Sequence, residues 1–167
     1  MKTCSAGFLT MLQTSKNLYK ADLYTITYRS GTTVYYTDAA TDITVNGHTY
    51  LASQPGVNTI PGLTRSGVRM AVGLADQPMQ VNILYDATSR INSVTPGAFA
   101  NAGGFDGAII IVDKFLTPSL SDVSRGTINL FTGLVMGVDV GSTRVSLECA
   151  TSLMYLNSSF PPNFFLP

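Results

Sequence analysis

The sequence predicts a mainly β domain: an antiparallel β-sandwich or barrel-like module with a short N-terminal helix and one short inserted helix. Three observations predict it. Apolar residues alternate with polar ones at a period of two over most of the chain, turn-forming residues separate the alternating runs, and two stretches alone carry a helical pattern.

In chain order, Phe8, Leu9 and Leu12 sit at helical spacing among Gln13, Thr14 and Ser15, so Ser5 to Ser15 reads as a short amphipathic helix rather than a signal peptide. Strands follow at Leu23 to Tyr28, turned at "RSGT", and at Val34 to Thr37. Ile43 to Val45 is joined through Asn46-Gly47 to His48 to Ala52, and further strands run over Val68 to Leu74 and Met79 to Tyr85. The second helix is "TPGAFANAGG", with Thr95 as N-cap, Pro96 at the first helical position and Gly103 as the stop. Gly107 to Val112 is expected to be a central strand buried on both faces, because Ile109, Ile110, Ile111 and Val112 leave no polar alternation. From Ile128 to Val140, the residues Ile128, Leu130, Leu134, Met136, Val138 and Val140 fall on one face. After the turn "DVGST", Val145, Leu147, Cys149 and Leu153 face inward on the second arm of a hairpin. The whole reads as a meander of antiparallel hairpins.

Two segments lack strand pattern, Ala87 to Gly104 and Asn157 to Pro167, and both are expected to be arms that dock on neighbouring subunits. The second holds Phe160, Phe164 and Phe165 beside prolines 161, 162 and 167. Large rings are costly to hydrate, each buried one being worth roughly 1.5–3 kcal/mol, and proline keeps such a segment extended. Phe160, Phe164, Phe165, Phe99 and Phe105 are therefore the candidate interface residues. The division is one β-rich domain over residues 1–156 and an extended arm over 157–167, which could also serve as a linker to a further segment.

Charged residues make up 12% of the chain and the net charge is zero, which excludes the basic surplus of a nucleic-acid binder and the charge excess of a disordered tail. The longest apolar run, "GAIIIV", is far short of the roughly 20 residues of a membrane-spanning helix. Cys4 and Cys149 are too far apart in sequence to suggest a zinc ribbon or a disulfide framework, and fit reduced thiols in a protein made in a cytoplasm.

The stretch "VYYTDAATDITVNGHTYLASQPG" gathers the single histidine with Asp38 and Asp42, the pattern that raises a metal or acid/base site. A metal needs three or four ligands, which the chain does not supply here. Turn chemistry accounts for all three residues: Asx side chains accept backbone N–H bonds around the "AAT" connection, and His48 opens the strand after a tight Asn-Gly turn. No GxSxG, P-loop or GxGxxG is present, and no carboxylate pair is marked out for glycoside cleavage. Tyr24, Tyr28, Tyr35, Tyr36 and Tyr50 could line a sugar-binding surface, so an extracellular carbohydrate-binding β-sandwich is the alternative reading.

The order of features across almost the whole chain carries a resemblance. Tyr36-Thr37-Asp38 precedes Asp42-Ile43, with Ala39 and Ala40 in between; Gly47-His48-Thr49-Tyr50-Leu51-Ala52 follows; then come "GLADQPMQVN", Phe105-Asp106-Gly107-Ala108, Gly126 with Gly133 and Val135, and a closing "RVSLECATSLMYLN". In this order they resemble the N-terminal part of the tail hub, or tail tip, family of siphophages and gene transfer agents, similar to lambda tail tip protein L. Ala39 and Ala40 depart from the family's frequent His and Asp. The resemblance implies a non-enzymatic structural protein of the virion tail tip or baseplate, made in the bacterial host cytoplasm. It further implies a homotrimer placed between the distal tail protein ring at the tube end and the central spike or fibre protein. The family's iron–sulfur cluster belongs to a cysteine-bearing segment beyond the matched part. Neither Cys4 nor Cys149 corresponds to it, so no cofactor is expected in this chain unless such a segment follows.

Overall fold

The computed structural model describes residues 6–14, 18–67, 78–119, 122 and 126–151. Its elements are α1 (Ala6–Thr14), β1 (Tyr19–Thr27), β2 (Thr33–Thr37), β3 (Ile43–Val45), β4 (His48–Ala52), β5 (Gly62–Arg65), β6 (Met79–Leu84), α2 (Pro96–Asn101), β7 (Ile109–Thr117), β8 (Thr127–Val140) and β9 (Arg144–Ala150). Mainly β character with two short helices is what the periodicity predicts.

The nine strands form one sheet in the order β3-β4-β2-β1-β7-β8-β9-β6-β5. The sheet curls until β5 comes beside β2 without pairing to it, which makes the module an open, barrel-like roll. The meander expected from sequence is corrected in two respects. β4 returns parallel to β2 through Tyr36 opposite Leu51 and Thr37 opposite Ala52, and β6 pairs with β9 rather than with its sequence neighbour β7. Both pairings are long-range, and alternation along a strand carries no information about which strand lies beside it.

Inward-facing residues line the roll. Tyr24 and Ile26 of β1, Val81 and Ile83 of β6, Ile110 and Val112 of β7, and Val145 and Leu147 of β9 are all fully buried there. A second, smaller core forms on the convex side, where the β3–β4 hairpin folds its Ile43, Val45 and Tyr50 over Ala21, Leu23 and Phe115. The hairpin turn behaves as its sequence predicts: Asn46 and Gly47 both take positive φ, at 54° and 78°, the twist that a two-residue turn between antiparallel strands requires. α2 likewise starts where expected, with the Thr95 hydroxyl accepting the Ala98 N–H and Pro96 at the first position.

β7 is the central strand, but its burial alternates. Ile110 and Val112 are fully buried while Ile109 is 44% exposed and Ile111 is half-buried. The convex face of the roll is uncovered at this end, so the β-branched run fills one core and not two. The single face expected for β8 is also broken. Val112 pairs with Phe131 and Asp113 with Asn129, leaving Leu130 as an extra residue; further on, Val135 pairs with Cys149 and Gly137 with Glu148, leaving Met136 extra. Each bulge shifts the phase by one. Phe131, Gly133 and Val135 therefore face inward in the middle of the strand, and Val138 and Val140 pack against the core after the second bulge. Gly133 is needed there: a Cβ would run into the Ala150 carbonyl oxygen and the Phe131 ring.

The segment Ala87 to Gly104, expected to be an arm, packs on its own domain instead. Ile91 and Ala100 are buried in the main core, and the Arg90 N–H donates to the Thr59 carbonyl at 2.7 Å. The expected strand Val68 to Leu74 and the inward position of Leu153 lie outside the described residues. β5 was not marked by the sequence: "GLTR", four residues after a proline, is too short to show alternation.

Candidate functional site

Asp38, Asp42 and His48 do not converge. Asp38 Oδ1 accepts the Asp22 N–H at 2.6 Å, and Asp42 Oδ1 accepts the Ala52 N–H at 2.7 Å, so each carboxylate finishes a backbone hydrogen bond at the rim of a strand. Burial pushes the Asp38 carboxyl above its usual range, while the N–H bond from Asp22 opposes that shift. His48 stacks on Tyr35 with ring centroids 4.4 Å apart. Among the described residues, no three His, Cys, Asp or Glu side chains gather as a metal site would require. An exposed stacked ring contributes little, so His48→Ala should lower stability by less than about 1 kcal/mol, read by thermal melting. A loss of several kcal/mol would contradict this.

The sugar-platform reading is corrected by burial. Tyr24, Tyr28, Tyr36 and Tyr50 are all buried, and Tyr35 is half-buried against His48 and Tyr50. Rings that face a core have no surface to stack on a saccharide. Burial accordingly raises the pKa of the Tyr24 and Tyr28 hydroxyls.

Of the candidate interface residues, Phe105 is fully buried, in edge-on contact with Tyr28 and Phe99 at 5.9 and 5.0 Å. Its ring is part of the domain's own main core. Phe99 is half-buried in the same cluster. Phe160, Phe164 and Phe165 lie outside the described residues.

Cys149 is 1% exposed, and burial pushes its thiol up to about 12. A thiol that stays protonated and enclosed does not act as a nucleophile. Iodoacetamide at neutral pH should leave Cys149 unmodified in the folded chain and alkylate it in denaturant, as read by peptide mass spectrometry. Rapid labelling of native protein at Cys149 would contradict the core assignment.

Two features were missed by sequence reasoning. The first is an ion cluster inside the roll: Lys114 Nζ lies 2.7 Å from Asp22 Oδ1, and Arg65 Nε lies 2.8 Å from Asp22 Oδ2. Lys114 donates a hydrogen bond, whereas the Arg65 Nε–H is not aligned with the oxygen and acts as a charge contact. Because β5 carries Arg65 and β1 carries Asp22, the cluster ties the free edge strand across the unpaired seam. The second is a set of exposed aliphatic side chains. On the convex face Ile109 is 44% exposed, beside its half-buried cross-strand partner Leu134; elsewhere Met136, Leu84 and Val57 are exposed, and α1 presents Leu9 and Leu12 while burying Met11. Three consecutive isoleucines were the one available signal for the convex patch.

These aliphatic side chains are spread over several faces of the domain. Among the described residues, no helix is long and apolar enough to cross a membrane.

The family model "Baseplate hub protein, N-terminal attachment domain" matches residues 5–167. No curated protein matches the sequence. Among solved structures, a chain of the "Virion of native gene transfer agent (GTA) particle" matches with a TM-score of 0.70 at 18% identity, over 94% of this chain and 48% of that chain. At that identity the likeness is one of fold, and this chain spans about half the length of the one it matches. The family match extends over nearly all of the sequence, and the chain therefore belongs to the baseplate hub family as its N-terminal attachment domain, a structural part of a phage-type virion tail.

Proposed function

We propose that this domain fixes a homotrimeric tail-tip hub between the distal tail protein ring at the end of the tail tube and the central spike or fibre protein. The observation that carries the reading is the attachment-domain match over residues 5–167. The structure supports it with a neutral module whose apolar residues are exposed on several faces, as suits assembly by shape rather than by charge. The domain works without catalysis and without a cofactor of its own, and is made in the bacterial host cytoplasm before it enters the particle. In a strain lacking this chain, tails should end without a spike, and supplying the chain in trans should restore it. Intact spikes in its absence would overturn the reading.

The arm belongs to the same proposal. Phe160, Phe164 and Phe165, spaced by prolines, dock along a neighbouring subunit. Deleting residues 157–167 should leave the melting temperature of the isolated domain within about 2 °C, since on this reading the arm packs on a neighbour, while incorporation into particles is lost. A large fall in melting temperature would instead assign the phenylalanines to the domain's own core.

A further inference from the structure

One end of the roll carries an open notch of about 390 Å3, lined among others by Ser53, Ile60, Gly62, Leu84, Asp86 and Thr143. Its walls are pre-set by hydrogen bonds. On one side Asn58 Oδ1 accepts the N–H groups of Gln54 and Ile60, each at 3.1 Å, and Asn58 Nδ2 donates to the Ala52 carbonyl at 2.9 Å. On the other, Asp86 Oδ1 accepts from the N–H and hydroxyl of Thr88 at 2.8 and 2.7 Å, and from the N–H and hydroxyl of Ser89 at 2.9 and 3.0 Å. The Tyr85 N–H donates to the Thr143 carbonyl at 2.9 Å, joining the β8–β9 turn to that wall.

Asp86 is the one charged residue in the lining. All of its hydrogen bonds above fall on Oδ1, which leaves Oδ2 to a ligand. The bonds from Thr88 and then Ser89 hold its carboxyl down to about 2. Beside it in the lining stands an aliphatic group open to solvent, Leu84, which is 44% exposed. A fixed carboxylate oxygen over an aliphatic wall suits a long cationic side chain, whose stem lies on Leu84 and Ile60 while its head meets Asp86. A saccharide is disfavoured, because the lining aromatic, Tyr85, is half-buried with its hydroxyl donated to the Gly141 carbonyl at 2.7 Å.

We infer that this notch is a docking site for an arginine or lysine side chain presented by an adjoining virion protein. The source of that side chain rests on the hub reading; the chemistry of the notch does not. The test uses the whole chain, titrated by NMR with N-acetylarginine methylamide, N-acetyllysine methylamide and the neutral isostere N-acetylcitrulline methylamide. The cationic probes should give saturable amide shifts at Gly62, Leu84 and Thr143, and the citrulline probe should bind about threefold more weakly, as suits an ion pair at an exposed carboxylate. Asp86→Asn, which keeps an oxygen acceptor for Thr88 and Ser89, should weaken the cationic probes about threefold with the rest of the spectrum unchanged. Equal binding of the citrulline probe, shifts elsewhere on the domain, or full binding by Asp86→Asn would overturn the inference. In particles, Asp86→Asn should lower the amount of chain incorporated. If Asp86→Asn enters as well as the wild type, the notch is not the contact while the hub reading stands. If the wild-type chain itself is absent from particles, the hub reading fails and the titration alone decides the notch.

Discussion

Ile110→Asp should abolish folding of the domain. Ile110 sits on the central strand β7, opposite Ile26 on β1 and Gly133 on β8, with its side chain fully buried. A carboxylate at that point would lie among Ile26, Val112 and other core side chains with no partner. Burying it unpaired costs several kcal/mol, on the order of the 5–15 kcal/mol that hold a whole domain together. Ile109→Asp, one residue earlier, is the matched control: the side chain is 44% exposed on the convex face, and the change should cost no more than about 1 kcal/mol. Circular dichroism and solubility of the two variants read the difference. Folded, soluble Ile110→Asp, or equal collapse of both variants, would contradict the assigned face.

Asp22→Ala should be the next most damaging change tied to a named interaction. Its side chain is 8% exposed and bridges Lys114 at 2.7 Å and Arg65 at 2.8 Å. Removing the shared anion leaves two cations facing each other inside the roll, with a cost of about 3–5 kcal/mol. For a chain of this size each kcal/mol moves the melting temperature by roughly 2–4 °C, so a fall of about 10 °C is expected. The triple variant Asp22→Leu, Arg65→Leu and Lys114→Met, which removes the stranded charges as well, should recover most of it. A loss that the triple variant does not recover would mean that Asp22 matters for packing rather than for its charge. A melting temperature within 2 °C of the wild type in Asp22→Ala would show the cluster to be incidental.

The ion cluster also marks where the sequence stopped being legible. Asp22 shares the inward phase of β1 with Tyr24 and Ile26, so its burial could be read from period two alone. Its partners could not, because Lys114 lies 92 residues away and Arg65 sits on a strand of four residues. The same divide runs through the rest of the fold. Elements defined by local chemistry were readable: the Asn46-Gly47 hairpin, the Thr95-Pro96 helix start and the alternation of β9. Those set by distant neighbours were not. Whether Ile109 meets a core or solvent depends on how far the β3–β4 hairpin reaches over the convex face. The two bulges of β8 arise from its pairing with β7 and with β9, and a count of every second residue passes straight over them. For the candidate site, Asp38 and Asp42 were readable as acceptors of backbone N–H bonds, but the donors on Asp22 and Ala52 come from strand pairing. The notch at Asp86 draws its walls from three separate loops and has no signature in any one of them.

The most direct test of the hub assignment is a reconstruction of the assembled tail tip at side-chain resolution. The account predicts three copies of this nine-stranded roll between the ring at the end of the tube and the spike, with the phenylalanines of residues 157–167 packed against a neighbouring subunit. Density for the chain away from the tail tip, or particles complete without it, would contradict the account.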